Sequence, residues 1–73
     1  MWFHKGKLAQ AIKSDALTLA WLARRLGCTH ARLCAIVLGL QAANYLIAKA
    51  LLEVLGYDAV VDAIDWGRTE YAG

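Results

Sequence analysis

The 73 residues, 60% hydrophobic and 19% charged, leave room for one domain (residues 1–73) but not two, with a core that supplies only about 3–5 kcal/mol. The net charge of +2 is uneven: residues 1–49 hold seven of the eight Lys and Arg against Asp15 alone, and residues 50–73 hold Arg68 against five acids, a pattern that fits a polyanion partner for the basic half or an ordinary solvated surface. A membrane-spanning helix is not expected, because the longest uncharged run, 33–48, is sixteen residues where about 20 are needed.

Glycine punctuates the chain, and proline is absent. Gly27, Gly39, Gly56 and Gly67 each follow an apolar-periodic stretch, where a left-handed helix-ending residue belongs. Thr18, Thr29, Asn44 and Asp58 open the next stretches with side chains suited to capping free N–H groups. Five helices are predicted, at about 6–16, 19–26, 30–38, 45–55 and 59–66, and no segment alternates as a half-buried strand would. The fold class is all-α. At about 100° per residue, the first helix turns Leu8, Ala9 and Ile12 inward, continued by Leu17. The second turns in Leu19, Leu22, Ala23 and Leu26 and leaves Trp21, Arg24 and Arg25 elsewhere. The fourth buries Ile47, Leu51, Val54 and Leu55, and the fifth offers Val60, Val61 and Ile64. Trp2 and Trp66 read as packing residues at the core's open ends, since Trp is seldom left fully exposed.

Only Gly27, Cys28 and Thr29 separate the second helix from the third, and Ala23 is small enough for close helix approach. That is the requirement of a helix-turn-helix, with its core at about 18–38. In LTLAWLARRLGCTHARLCAIVLG at 17–39 and IAKALLEVLGY at 47–57 the chain resembles the lambda-repressor-like (Cro/repressor) helix-turn-helix family. Leu22 with Ala23 and Leu26 with Gly27 meet the family's Leu-Ala and Leu-Gly pairs. Cys28 and Thr29 meet its small turn residue and hydroxyl cap. Leu33 and Ile36 are the third-helix anchors, Gly39 its close, and Ile47 with Ala48 and Leu55 with Gly56 match the fourth helix. The resemblance covers roughly residues 8–64.

The resemblance implies a compact five-helix domain that binds double-stranded DNA with its third helix in the major groove. Thr29, His30, Ala31 and Arg32 would then stand at the base edges, with Arg32 able to fork onto a guanine. Arg24, Arg25, Lys5 and Lys7 would contact phosphates, and Gln41 and Asn44 lie in the loop where the family often touches the backbone. A transcription regulator of phage or mobile-element type follows by analogy. Such domains bind paired half-sites, so a homodimer is expected through Val60, Val61, Ile64 or Trp66.

The departures point elsewhere. Leu19 stands where the family favours Gln, and Trp21 where it usually has a charge. The outer face of the third helix carries His30, Ala31, Cys34, Ala35 and Leu38, with Val37 at its margin. A surface of Leu19, Trp21, Ala35, Val37 and Leu38 suits a protein partner (a repressor or a host factor), so an anti-repressor or an inhibitor of a host defence complex is the second expectation. A membrane-active helical peptide is the third. Trp21 is either exposed or covered by the segment around Trp2 and Phe3.

His30 reads as a solvated residue or as a base reader. With His4 it has no metal-ligand spacing, and with no Cys counted at a helical i+4 from either, neither a metal nor another cofactor is expected. Ser14 is the one serine and has no evident base beside it. Asp58, Asp62 and Asp65 share one short helix as a solvated face, and no Gly-rich phosphate loop exists, so the chain is not expected to be an enzyme. Two cysteines, Cys28 and Cys34, make no disulfide framework. Without a signal-peptide pattern they imply a reducing, cytoplasmic setting and read as small apolar residues.

Overall fold

A computed structural model describes residues 1–68; Glu70, counted above in the acidic half, lies outside them. Five α-helices run in order, α1 (Lys7–Ser14), α2 (Leu19–Leu26), α3 (His30–Val37), α4 (Tyr45–Leu55) and α5 (Tyr57–Ala63), then a 3-10 turn, Trp66–Arg68. α2 packs on α3 and α4, and α5 packs on α1 and α4. The radius of gyration, 11.1 Å, matches the about 11 Å of a compact chain of this length.

Each predicted hydroxyl or amide cap before α2, α3 and α4 is in place. Thr18 Oγ1 accepts from the Trp21 N–H at 3.1 Å, Thr29 Oγ1 from Arg32 N–H at 3.0 Å, and Asn44 Oδ1 from Ile47 N–H at 2.9 Å. Each bond satisfies one of the donors that a helix start leaves without a partner.

Helices α1, α2 and α3 end alike. After α2 the Cys28 N–H donates to the Ala23 carbonyl (3.0 Å) and the Gly27 N–H to the Arg24 carbonyl (3.3 Å), with Gly27 left-handed at φ 75°. This paired closure is the Schellman motif. It recurs after α3, where Leu40 bonds Ala35 and Gly39 bonds Ile36, and after α1, where Leu17 bonds Ile12 and Ala16 bonds Lys13. The left-handed residue after α1 is Ala16, at φ 58°. α1 therefore stops at Ser14 rather than running to residue 16.

The C-terminal part departs most from expectation. Gly56 has φ 94° and ψ 155°, so it is extended in ψ rather than left-handed helical, and it turns the chain straight into α5. Asp58 consequently lies inside the first turn of α5 instead of capping it. Ile64 leaves the helix for extended geometry, with φ −69° and ψ 135°, and α5 ends at Ala63 rather than at 66. Gly67 sits in the 3-10 turn.

Ile64 leaves because it has a partner. His4 N–H donates to the Ala63 carbonyl (2.8 Å) and Asp65 N–H to the Trp2 carbonyl (2.8 Å), flanking an antiparallel bridge between Phe3 and Ile64. Such a pair is the close, non-hydrogen-bonded kind, with both side chains on one side, and both are buried. Ala43 N–H donates to the Met1 carbonyl at 2.7 Å, which ties the same segment to the α3–α4 loop. Beyond this one bridge the described residues hold no strand.

The core gathers Phe3, Leu8, Ile12, Leu22, Leu33, Ile36, Leu51 and Val60, with smaller residues between them. Leu17, Leu19, Leu26, Cys28 and Val54 pack against it while half-buried. Ala9, expected inside, is exposed, and so is Trp66. Among the described residues every buried side chain is apolar.

Candidate functional site

The three residues that join α2 to α3 hold the two helices in contact. Gly27 closes α2, Cys28 tucks half-buried against the core, and Thr29 caps α3. The start of α3 faces outward. Thr29, His30, Ala31 and Arg32 are exposed, as are Arg24 and Arg25 in the last turn of α2 and Gln41 and Asn44 in the α3–α4 loop. Lys5 and Lys7 are exposed too. The Thr29 and Asn44 acceptor oxygens are held in cap bonds, but the Thr29 hydroxyl hydrogen and the Asn44 amide remain donors for an anion.

Charge on this side is uncompensated. No Asp or Glu occurs between Asp15 and Glu53, a stretch that contains α2, α3 and their loops. Among the described residues the one approach within 4 Å of a basic to an acidic side chain is His4 Nδ1 to Asp65 Oδ2 at 3.8 Å, so Arg24, Arg25 and Arg32 have no carboxylate partner there.

The apolar surface expected of a protein-binding face is only partly present. Trp21 and Leu38 are 45% and 47% exposed, and the N-terminal segment lies against Ala43 and residues 63–65 instead of over Trp21. Ala35 and Leu19 are half-buried. Val37 is not at the margin of an exposed face: it is buried at 4% exposure, because α3 turns it inward beside Leu33 and Ile36. It contributes instead to an open groove of about 430 Å³ lined by Ile12, Ala16, Leu17, Leu19 and Val37, with Ala9 and Lys13. A smaller hollow of about 250 Å³ shares Ala16 and Leu17 with it and ends on Thr18 and Trp21. Leu17 was expected only as an inward continuation of the first helix and Ala16 had no assigned role, since nothing in an alanine announces the left-handed turn it makes after α1.

The expected dimer surface is corrected as well. Val60 and Ile64 are 1% and 7% exposed and fill the core beneath α1 and the N-terminal segment, so they have no surface to offer a second chain. Val61 is half-buried, and only Trp66 of the four stands out, at 63% exposure.

The expectation that no Cys lies at a helical i+4 from either histidine is corrected for His30. His30 and Cys34 stand four residues apart on α3, with Cys34 Sγ 3.7 Å from His30 Nδ1 and 4.0 Å from Nε2.

Comparison with protein-family models, curated proteins and solved structures finds no match for this chain. No helix among the described residues is long and apolar enough to cross a membrane.

Proposed function

We propose that this chain is a small DNA-binding regulator that uses α2 and α3 as a helix-turn-helix, in the manner of the lambda-repressor-like family. The observation that carries the reading is the set of exposed arginines Arg24, Arg25 and Arg32, without a carboxylate partner among the described residues, around the exposed start of α3. An α-helix such as α3 is about 10–12 Å across with its side chains, and the major groove is about 12 Å wide. Thr29, His30 and Arg32 would face base edges there, while Arg24, Arg25, Gln41 and Asn44 would bind phosphates.

The test is binding to a random-sequence duplex across a salt series. Each phosphate neutralised adds about 0.9 to the slope of log affinity against log salt. Replacing Arg24, Arg25 and Arg32 by Ala is expected to lower that slope by two to three such steps. Arg24 and Arg25 also complement the C-terminal dipole of α2, worth about 0.3–1 kcal/mol each, so circular dichroism must show the variant folded. Absence of binding at low salt by the folded parent protein overturns the reading.

A second reading, a scaffold for protein binding, draws support from the groove between α1, α2 and α3 and from the exposed Trp21 and Leu38. It predicts that Trp21→Ala with Leu38→Ala abolishes capture of a partner protein without changing the fold. Retention of that partner by the double variant would count against it.

A further inference from the structure

His30 opens α3, and Cys34 stands one turn later on the same face. His30 is exposed and Cys34 half-buried. The sulfur lies near both ring nitrogens, at 3.7 and 4.0 Å, so a turn about the His30 Cβ–Cγ bond aims either nitrogen at a point shared with Sγ. Zinc bonds imidazole nitrogen at about 2.0–2.1 Å and thiolate sulfur at about 2.3 Å. At the tetrahedral angle, about 109°, those lengths put nitrogen and sulfur about 3.6 Å apart. The 3.7 Å separation therefore already matches the bite of a tetrahedral ion. Among the described residues no carboxylate joins the pair to suit a hard oxygen-seeking cation, and a thiolate with an imidazole is a donor pair for Zn²⁺.

One chain supplies two donors where a closed zinc site takes four. Among the described residues no group of three or more His, Cys, Asp or Glu side chains gathers on one copy. A two-fold interface places the same residues opposite themselves, so a second α3 face supplies the missing pair. The neighbours of the two donors permit this approach. Ala31 and Ala35 present only methyl groups, Leu38 is an exposed apolar residue at 47%, and Arg32 lies about 160° around the helix from Cys34, so its charge does not face the ion.

We propose that His30 and Cys34 form a half-site for Zn²⁺ that is completed by His30 and Cys34 of a second copy, giving a Cys2His2 centre between two α3 helices. One proton leaves each thiol on binding, and the two thiolates neutralise the ion. The inference stands apart from the DNA reading; the two are linked only because a zinc-bridged pair covers His30 and competes with a duplex for the face of α3.

The experiment titrates reduced protein, kept in a phosphine reductant, with Zn²⁺ alone and follows mass by sedimentation. The expected result is saturation at one ion per two chains with a doubling of apparent mass, reversed by EDTA. Cobalt in place of zinc should give the absorption of a tetrahedral thiolate site. Both signals should vanish in Cys34→Ser and in His30→Ala and persist in Cys28→Ala. These side chains are exposed or half-buried, and unchanged circular dichroism checks each fold. A mass that stays single at saturating zinc, one ion per chain, or a doubling that survives either substitution overturns the proposal.

Discussion

Helices α1, α2 and α3 close on one hydrogen-bond pattern, yet the left-handed residue is Ala16 in the first case and glycine in the other two. A residue with a Cβ in that conformation costs roughly 1–2 kcal/mol, a strain glycine does not carry. Ala16→Gly is therefore expected to raise stability by about 1 kcal/mol, less the entropy glycine loses on folding. Gly27→Ala should lower it by about 1–2 kcal/mol through backbone strain alone, since no atom lies within 4 Å of the added Cβ. Urea unfolding of the two variants checks both signs; a loss of stability in Ala16→Gly would mean that the turn after α1 is unstrained. The sequence hid this turn because an alanine between Asp15 and Leu17 carries no local signal of left-handed geometry. The turns at Gly27 and Gly39, by contrast, were readable from the glycine itself. So were the exposed arginines, which fall off the apolar arc of α2 and α3 by simple periodicity. Val37 was misplaced by the same reckoning, for a margin position on a helical wheel is buried or bare according to what packs above it.

Helix starts divide in a parallel way. Thr18, Thr29 and Asn44 each cap the next helix, and each was legible because an oxygen-bearing side chain stands just before an apolar-periodic run. Asp58 offered the same signal falsely. The positive φ of Gly56 lets α5 begin at Tyr57, directly after α4, and no separate cap is used. Removing the oxygen in Thr29→Ala should cost about 1 kcal/mol, within a range of 0.5–2, whereas Thr29→Ser should keep most of it. Thermal unfolding of the pair tests this, and equal losses would show that the hydroxyl contributes nothing at the start of α3. The spacing of His30 and Cys34 was equally open to reading as one helical turn, but only the folded geometry gives the 3.7 Å separation that makes the spacing chemically useful.

Across the whole molecule, the segment of residues 1–4 is the part that five predicted helices did not account for. Phe3 is 1% exposed and pairs with Ile64, while Met1 and Trp2 carbonyls accept from Ala43 and Asp65. A bridge of one residue pair is too short to leave an alternating pattern, so no reading of periodicity would find it. Its weight is nevertheless large. Phe3→Ala should cost about 3–5 kcal/mol, comparable to the about 3–5 kcal/mol that the core of so short a chain supplies. A loss below about 1 kcal/mol in denaturant unfolding would show that Phe3 is not an integral part of the core. The same bridge explains why the expected dimer helix is not free: Val60 and Ile64 are held by α1 and by Phe3 within one chain.

The pairing of Phe3 with Ile64 also sets a timetable for a growing chain. At about 5–20 residues per second, the ribosome makes Ile64 some 3–12 seconds after Phe3. Until Ile64 has been made, Phe3 lacks the partner with which it bridges in the folded chain. Long-range closure of this kind comes late and slows folding. The burial of Phe3 beside Ile64 is thus a closure between the two ends of the described chain, and it waits on the synthesis of its later partner.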